Sequence, residues 1–128
     1  TEQWLSDHER ITVSDVERTV LDCLKMPEHC GGVLEAAKGL WLKRNSIDVE
    51  RLIDYVERLG VGAVRRRIGY LLEVYDIGSP RQREKLRAGI TNTYSLLDPV
   101  LEAEGRHIRR WRLRLNISRD ELIGVTES

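Results

Sequence analysis

Apolar positions recur along this chain with two periods, and the switch between them divides it. From Ser14 to about Ala88 the spacing is helical; at both ends it shortens to the period of two that marks a strand. Arg10-Ile-Thr-Val13 reads as a short strand, with Trp4-Leu5 as the end of an earlier one and Ser6-Asp7 as the turn between them. Ser14 with Glu17 three residues on has the form of a capping box. Val16, Val20, Leu21 and Leu24 form the stripe of the helix it opens, which Pro27 stops. After a Gly31-Gly32 hinge, Leu34, Ala37, Leu40 and Trp41 predict a second helix from Val33 to about Lys43. Ser46 and Asp48 can cap a third, in which Val49, Leu52, Ile53, Val56 and Leu59 follow helical spacing until Gly60. A fourth runs from about Gly62 to Tyr75, with Val64, Ile68, Leu71 and Leu72 facing the core. Gly69 inside it costs about 1 kcal/mol relative to Ala, which predicts a neighbouring element in close approach there. Ser79-Pro80 opens a short fifth helix to about Ala88.

Beyond that point Tyr94 to Leu97 reads as a strand, Asp98-Pro99 as a turn and Glu102 to Arg106 as a polar loop. Ile108 to Ile117 alternates strictly: Trp111, Leu113, Leu115 and Ile117 on one side, Arg110, Arg112, Arg114 and Asn116 on the other. This predicts one half-buried strand whose outer face is a row of guanidinium groups. From Asp120 onward the tail is expected to fray. Helices in the middle and strands at both ends predict an α+β fold, a single domain over residues 1–128, with a central helical cluster packed on a small mixed or antiparallel sheet formed by N- and C-terminal strands.

Charge sharpens the picture. The net charge is zero, but residues 65–119 carry 13 basic and 6 acidic groups, whereas residues 1–64 carry 8 basic and 12 acidic ones. A neutral chain can therefore still present a basic surface. Of the 21 basic residues 17 are Arg, the side chain that forks onto phosphate and carboxylate. No run of about 18 apolar residues exists to cross a membrane. Cys23 and Cys30 are too few for a disulfide framework, and with His29 they have no standard metal spacing, so reduced thiols and a cytoplasmic location are expected, with no metal and no cofactor. The chain begins at Thr1 inside a segment that already carries strand and capping signals, which suggests a fragment of a longer protein.

Thr12-Val-Ser-Asp-Val-Glu-Arg-Thr-Val-Leu-Asp22, Pro27 with Gly31-Gly32, Arg67-Ile-Gly-Tyr-Leu-Leu72, and Tyr94-Ser-Leu-Leu-Asp-Pro99 with Trp111-Arg-Leu-Arg-Leu-Asn116 together resemble the C-terminal domain of the AbiEi family of antitoxins. The resemblance extends from about Ile11 to Ile117. It implies the regulator half of a bicistronic toxin–antitoxin, phage-resistance system, whose partner toxin is a nucleotidyltransferase-like protein countered without a stable complex. It also implies an N-terminal winged helix-turn-helix, which this sequence does not include, that binds the operon's own promoter. The antitoxin activity would belong to the C-terminal domain. The alternative is an interaction or effector-sensing domain of a stand-alone DNA-binding regulator.

Candidate site residues follow from the arginines. Arg110, Arg112 and Arg114 on the strand are candidates for contact with nucleic acid or a protein partner; cross-strand pairing with acids such as Glu102 and Glu104 is the competing reading. Arg65-Arg66-Arg67 cannot share one helix face, since successive residues lie about 100° apart. At most two reach solvent together, so Arg65 and Arg66 are candidates for a phosphate-binding edge, and Arg67 for a buried ion pair. Arg18 and Asp22 stand at pair spacing, with Arg18 alternatively reaching a buried Asp98; with Trp111 these are the candidate structural positions. Asp98, Glu102 and Glu104 raise the distant possibility of a metal-dependent nuclease, but Glu104 occupies the place of the expected Lys. In Gly60-Val-Gly62 the third glycine of a dinucleotide motif is replaced by Arg65, and His8, His29 and His107 have no visible nucleophile partner. No catalytic residue is expected.

Overall fold

The computed structural model describes residues 16–127. The strands expected at Trp4-Leu5 and Arg10–Val13, and Ser14 of the expected capping box, lie outside the described residues. Five helices form where the sequence places them: α1 Val16–Lys25, α2 Val33–Leu42, α3 Val49–Leu59, α4 Gly62–Val74 and α5 Pro80–Ala88, with a short 3-10 turn at Pro27–His29. The boundaries have local causes. The Asp48 carboxylate caps α3 by accepting from the Arg51 N–H at 3.2 Å, and Gly60 ends the helix with φ +67°. Ser79 and Gln82 cap α5 reciprocally, with Pro80 at the first helical position. Glu17 is buried and accepts from the Asp48 N–H at 2.9 Å, tying α1 to the start of α3.

Helix α4 is the axis of the molecule. It contacts α1 and α5, strand β1 (Ser95–Leu96), and a sixth helix, α6 (Arg119–Gly124). Val64, Ile68, Leu71 and Leu72 are buried in α4 as the stripe predicts, and so are Tyr70 and Val74. Enclosure on several sides also explains the arginine triplet. Residues 65, 66 and 67 sweep round the helix, but each direction they take meets protein rather than water.

The sheet is mixed and three-stranded, in the order β1-β3-β2, with β2 at Arg106–Ile108 and β3 at Leu113–Leu115. β1 runs parallel to β3 (Ser95 opposite Leu113), and β2 runs antiparallel to it (His107 opposite Arg114). An α+β fold is therefore observed, with all the described strands in the C-terminal third.

Two features depart from expectation. The alternating run is not one strand. Residues 109–112 form a turn, closed by the Arg112 N–H donating to the Arg109 carbonyl at 3.2 Å, and Arg112 takes φ +51°. The segment is thus a β2–β3 hairpin. Trp111, Leu113 and Ile117 are nonetheless buried and Leu115 partly so, because the turn preserves which residues face in. The hairpin also needs Gly105 (φ +94°), where an added Cβ would overlap the Leu115 carbonyl. The tail, moreover, is ordered: Ser118 and Glu121 cap α6 reciprocally, and Leu122 is fully buried beneath the Tyr75 hydroxyl, which donates to its carbonyl at 2.7 Å. Beyond α6 a 3-10 turn at Val125–Glu127 packs on α2.

Cys23 and Cys30, expected as reduced thiols, are joined by a disulfide with Cα atoms 5.6 Å apart. The bond fastens the last turn of α1 to the loop that precedes Gly31. No helix among the described residues is long and apolar enough to cross a membrane.

Candidate functional site

Several of the quoted sequence pieces meet in one buried frame. Arg67 donates from Nη1 to the Leu24 carbonyl at 2.7 Å and from Nε to the Leu96 carbonyl at 3.1 Å. It therefore links the end of α1 to β1. Burial pushes its pKa down, and the nearby Asp98 carboxylate acts in the opposite sense. Asp98 is itself buried. One oxygen accepts from the Val33 N–H and the other from the Val100 N–H, each at 3.0 Å. It thus caps α2 from 65 residues away, where the helix dipole favours a negative charge. Gly32 lets it approach: a Cβ there would stand 3.1 Å from the carboxylate. Asn116 completes the frame by exchanging hydrogen bonds with the Asp98 backbone at 3.0 and 2.8 Å.

The guanidinium that lies near Asp98 is accordingly that of Arg67, not Arg18. No ion pair joins Arg18 to Asp22 among the described residues; both line a separate shallow depression with Lys25 and Tyr55. Glu102 and Glu104 are exposed, and no group of three or more metal-ligating side chains gathers among the described residues.

Trp111 packs against α4 at Gly69. A Cβ at Gly69 would overlap the indole ring. The close neighbour expected at Gly69 is therefore this side chain. Glu73, one turn further along, accepts from Trp111 Nε1 at 2.8 Å and from Arg110 Nε at 2.6 Å. The turn at 109–112 is what lets two successive side chains converge on one carboxylate.

The arginines divide into inward and outward sets. Arg65 points inward, pairing with Glu57 at 2.7 Å and donating to the Leu86 carbonyl at 3.1 Å. Arg66 is only 4% exposed. Its Nη1 donates to Ser95 Oγ at 2.9 Å, and its Nη2 to Thr91 Oγ1 at 2.8 Å and Thr93 Oγ1 at 2.9 Å. Both were candidates for a solvent-facing phosphate edge, and both are instead turned into the protein. Arg114 donates to the Gly105 carbonyl at 3.1 Å, within the hairpin.

Arg110 and Arg112 do face a common open depression of about 470 Å³, which Arg114 does not line; its other walls are Arg87, Ile90, Asn92 and Arg109. Arg87 comes from the last turn of α5 and pairs in bidentate fashion with Glu84, at 3.1 and 3.0 Å. Arg110 is held by Glu73. No carboxylate lies within ion-pair distance of Arg109 or Arg112 among the described residues. Arg112 instead contacts Asn92 Oδ1 at 3.4 Å and lies over the Tyr94 ring, 5.6 Å from its centroid.

Sequence reading missed Arg87, Asn92 and Arg109. Arg109 has the same strand parity as Trp111, which in a continuous strand is the inward side; the turn rotates it out to the depression. Arg87 is remote in sequence, and nothing in helical periodicity links α5 to the hairpin. Compared with family models, with curated proteins and with solved structures, the chain matches none.

Proposed function

We propose that this chain is the C-terminal domain of an AbiEi-like antitoxin and transcriptional regulator, acting by recognition rather than catalysis. It would counter a nucleotidyltransferase-type toxin of a toxin–antitoxin, abortive-infection operon from the cytoplasm, by engaging the toxin or the molecule the toxin modifies. The observation that carries this reading is the arginine-lined depression set on a rigid frame. Arg109 and Arg112 present guanidinium groups that no neighbouring carboxylate neutralises, on a hairpin locked by Trp111 and Glu73. Planar guanidiniums in that state are suited to the phosphates of nucleic acid or the carboxylates of a protein. The sequence pieces that carry the family resemblance also support it, since they meet in one place: Asp98 accepts from the Val33 N–H beside Gly32, Asn116 bonds to the Asp98 backbone, and Arg67 donates to the nearby Leu96 carbonyl, as parts of a single structural motif should. The Asp98 carboxylate, engaged by two backbone N–H groups, has a structural occupation that makes a nuclease role unnecessary.

A second reading, an effector-sensing domain of a stand-alone DNA-binding regulator, is favoured by the size of the depression, about 470 Å³, within the range of small-ligand sites.

Growth rescue tests the first reading. The nucleotidyltransferase-type toxin that this reading predicts would be expressed with residues 1–128 alone, then with the Arg109→Glu and Arg112→Glu double variant. Rescue by the chain and its loss on charge reversal, with a native circular dichroism spectrum, is the expected result. No rescue by residues 1–128 would show that neutralisation does not reside in this domain.

A further inference from the structure

The segment between α5 and β1 has two faces with different partners. Thr91, Thr93 and Ser95 turn toward Arg66, and all three hydroxyls accept from it. Asn92 and Tyr94 turn the other way, toward Arg112. This is the period of two of an extended chain, and here one buried guanidinium organises it. Arg66 is therefore a positioning residue for the outer row. Among the described residues it has no carboxylate partner, and its Nε has no hydrogen-bond acceptor. Burial pushes its pKa down, and the like charge of Arg112 adds to that effect. Two guanidiniums thus face each other across one strand-like segment without a counter-charge between them.

The neighbourhood holds an excess of cations. Arg66, Arg87, Arg109, Arg110 and Arg112 stand against Glu73 and Glu84, both already engaged. A bound anion would relieve that imbalance. Next to the cations lies an aromatic surface: the Tyr94 ring is 41% exposed and meets His107 edge-on, with centroids 5.1 Å apart. Asn92 lines the open depression, and Tyr94 stands outside its walls, joined to it through Arg112, which contacts both residues. Positive forks, a carboxamide and an exposed aromatic ring are the three contacts a nucleotide uses, through its phosphate, its base edge and its base face.

We infer that the depression binds a nucleoside phosphate, with the phosphate on Arg109 and Arg112, the base edge at Asn92 and the base reaching out of the depression onto Tyr94. The ligand is either a free mononucleotide or one nucleotide of a single strand. This assignment rests on reading the arginine surface as a recognition face, and names the chemistry it recognises. It can hold where growth rescue fails, because binding is measured without the toxin.

The test is fluorescence anisotropy of the whole chain with a ribose-labelled adenosine monophosphate. Unlabelled adenosine monophosphate, adenosine, inorganic phosphate and a ten-nucleotide single-stranded RNA serve as competitors. Saturable binding is expected, with adenosine competing at least tenfold more weakly than its monophosphate. Arg109→Gln with Arg112→Gln should weaken binding at least tenfold. Tyr94→Leu, which keeps apolar bulk but removes the ring, should weaken the nucleotide severalfold and leave competition by inorganic phosphate unchanged. Lys38→Ala, on α2 and outside the depression, should bind as the parent does. A monophosphate that outcompetes the RNA per nucleotide would identify a free ligand; the reverse order would identify a strand. Each variant is checked by near-UV circular dichroism, and Arg112→Lys, which keeps the charge, replaces any that unfolds and should retain most of the affinity. Absence of saturable binding, an unchanged affinity in the double Gln variant, or inorganic phosphate competing as well as the nucleotide would overturn the assignment.

Discussion

Glu73 shows how much can depend on one side chain whose neighbours no local pattern announces. It receives Trp111 Nε1 and Arg110 Nε from a hairpin 37 and 38 residues away. The inward direction of Trp111 was legible, because its parity matches that of Leu113 and Ile117. Its acceptor was not, since helical periodicity marks Glu73 as a polar position and nothing more. Gly69 was legible in half: a costly glycine inside a helix signals a close approach, without saying by what. Trp111→Ala should cost about 3–5 kcal/mol in urea unfolding. Gly69→Ala should also destabilise, by about 1–3 kcal/mol, because overlap with the indole outweighs the better helix propensity. A stability gain at Gly69 would place the ring elsewhere. Tyr75 offers a pH-dependent check. Burial pushes its pKa up to about 12, above the ordinary value near 10 in the unfolded chain. The folded state thus holds the phenol proton more tightly. The associated stability is fully present below about pH 10 and is lost as pH rises toward about 12. Tyr75→Phe should flatten that alkaline fall, as followed by denaturant midpoints across the range.

At the scale of elements, α1 to α4 were legible from their apolar stripes, and the boundaries of α1, α3 and α5 from a stop or cap: Pro27, Asp48, Gly60, Ser79-Pro80. The hairpin was not, because alternation survives a turn that keeps the inward set inward; only the positive φ at Arg112 and the close approach at Gly105 distinguish it. Helix α6 carried a readable signal, Ser118 with Glu121 ahead of Leu122, that proximity to the chain end obscured. Ser118→Ala should cost about 1 kcal/mol, seen as faster amide exchange confined to residues 119–125. The Cys23–Cys30 bond was set aside on count alone, although its sulfurs sit one helical turn and a short loop apart. It closes a small loop, so reduction should lower stability by roughly 2–3 kcal/mol on the chain-entropy model, without unfolding a core in which Trp111 and many leucine and isoleucine side chains are essentially inaccessible. Parallel urea titrations with and without reductant, and of the Cys23→Ser, Cys30→Ser variant, would measure this. Complete unfolding on reduction would mean the helical packing is weaker than that core implies.

For the whole molecule, the uneven charge of the sequence foretold a basic surface but placed it wrongly in part. Arg65 and Arg66 joined the interior because α4 is enclosed, and Arg114 turned onto a hairpin carbonyl. Arg109 and Arg87 took their places because a turn and a helix end, distant in sequence, meet at one depression. The proposal that unites these residues is that this depression is a recognition surface for phosphate-bearing ligands. Its most direct test is the salt dependence of single-stranded RNA binding. For single strands each phosphate neutralised contributes about 0.7 to the slope of log K against log salt. With Arg109→Gln and Arg112→Gln together, the slope should become shallower by about 1.4 if each guanidinium holds one phosphate, and affinity should fall at every salt concentration. A slope and an affinity equal to those of the parent chain would contradict the account, and would leave these arginines as ordinary solvated charges on the surface.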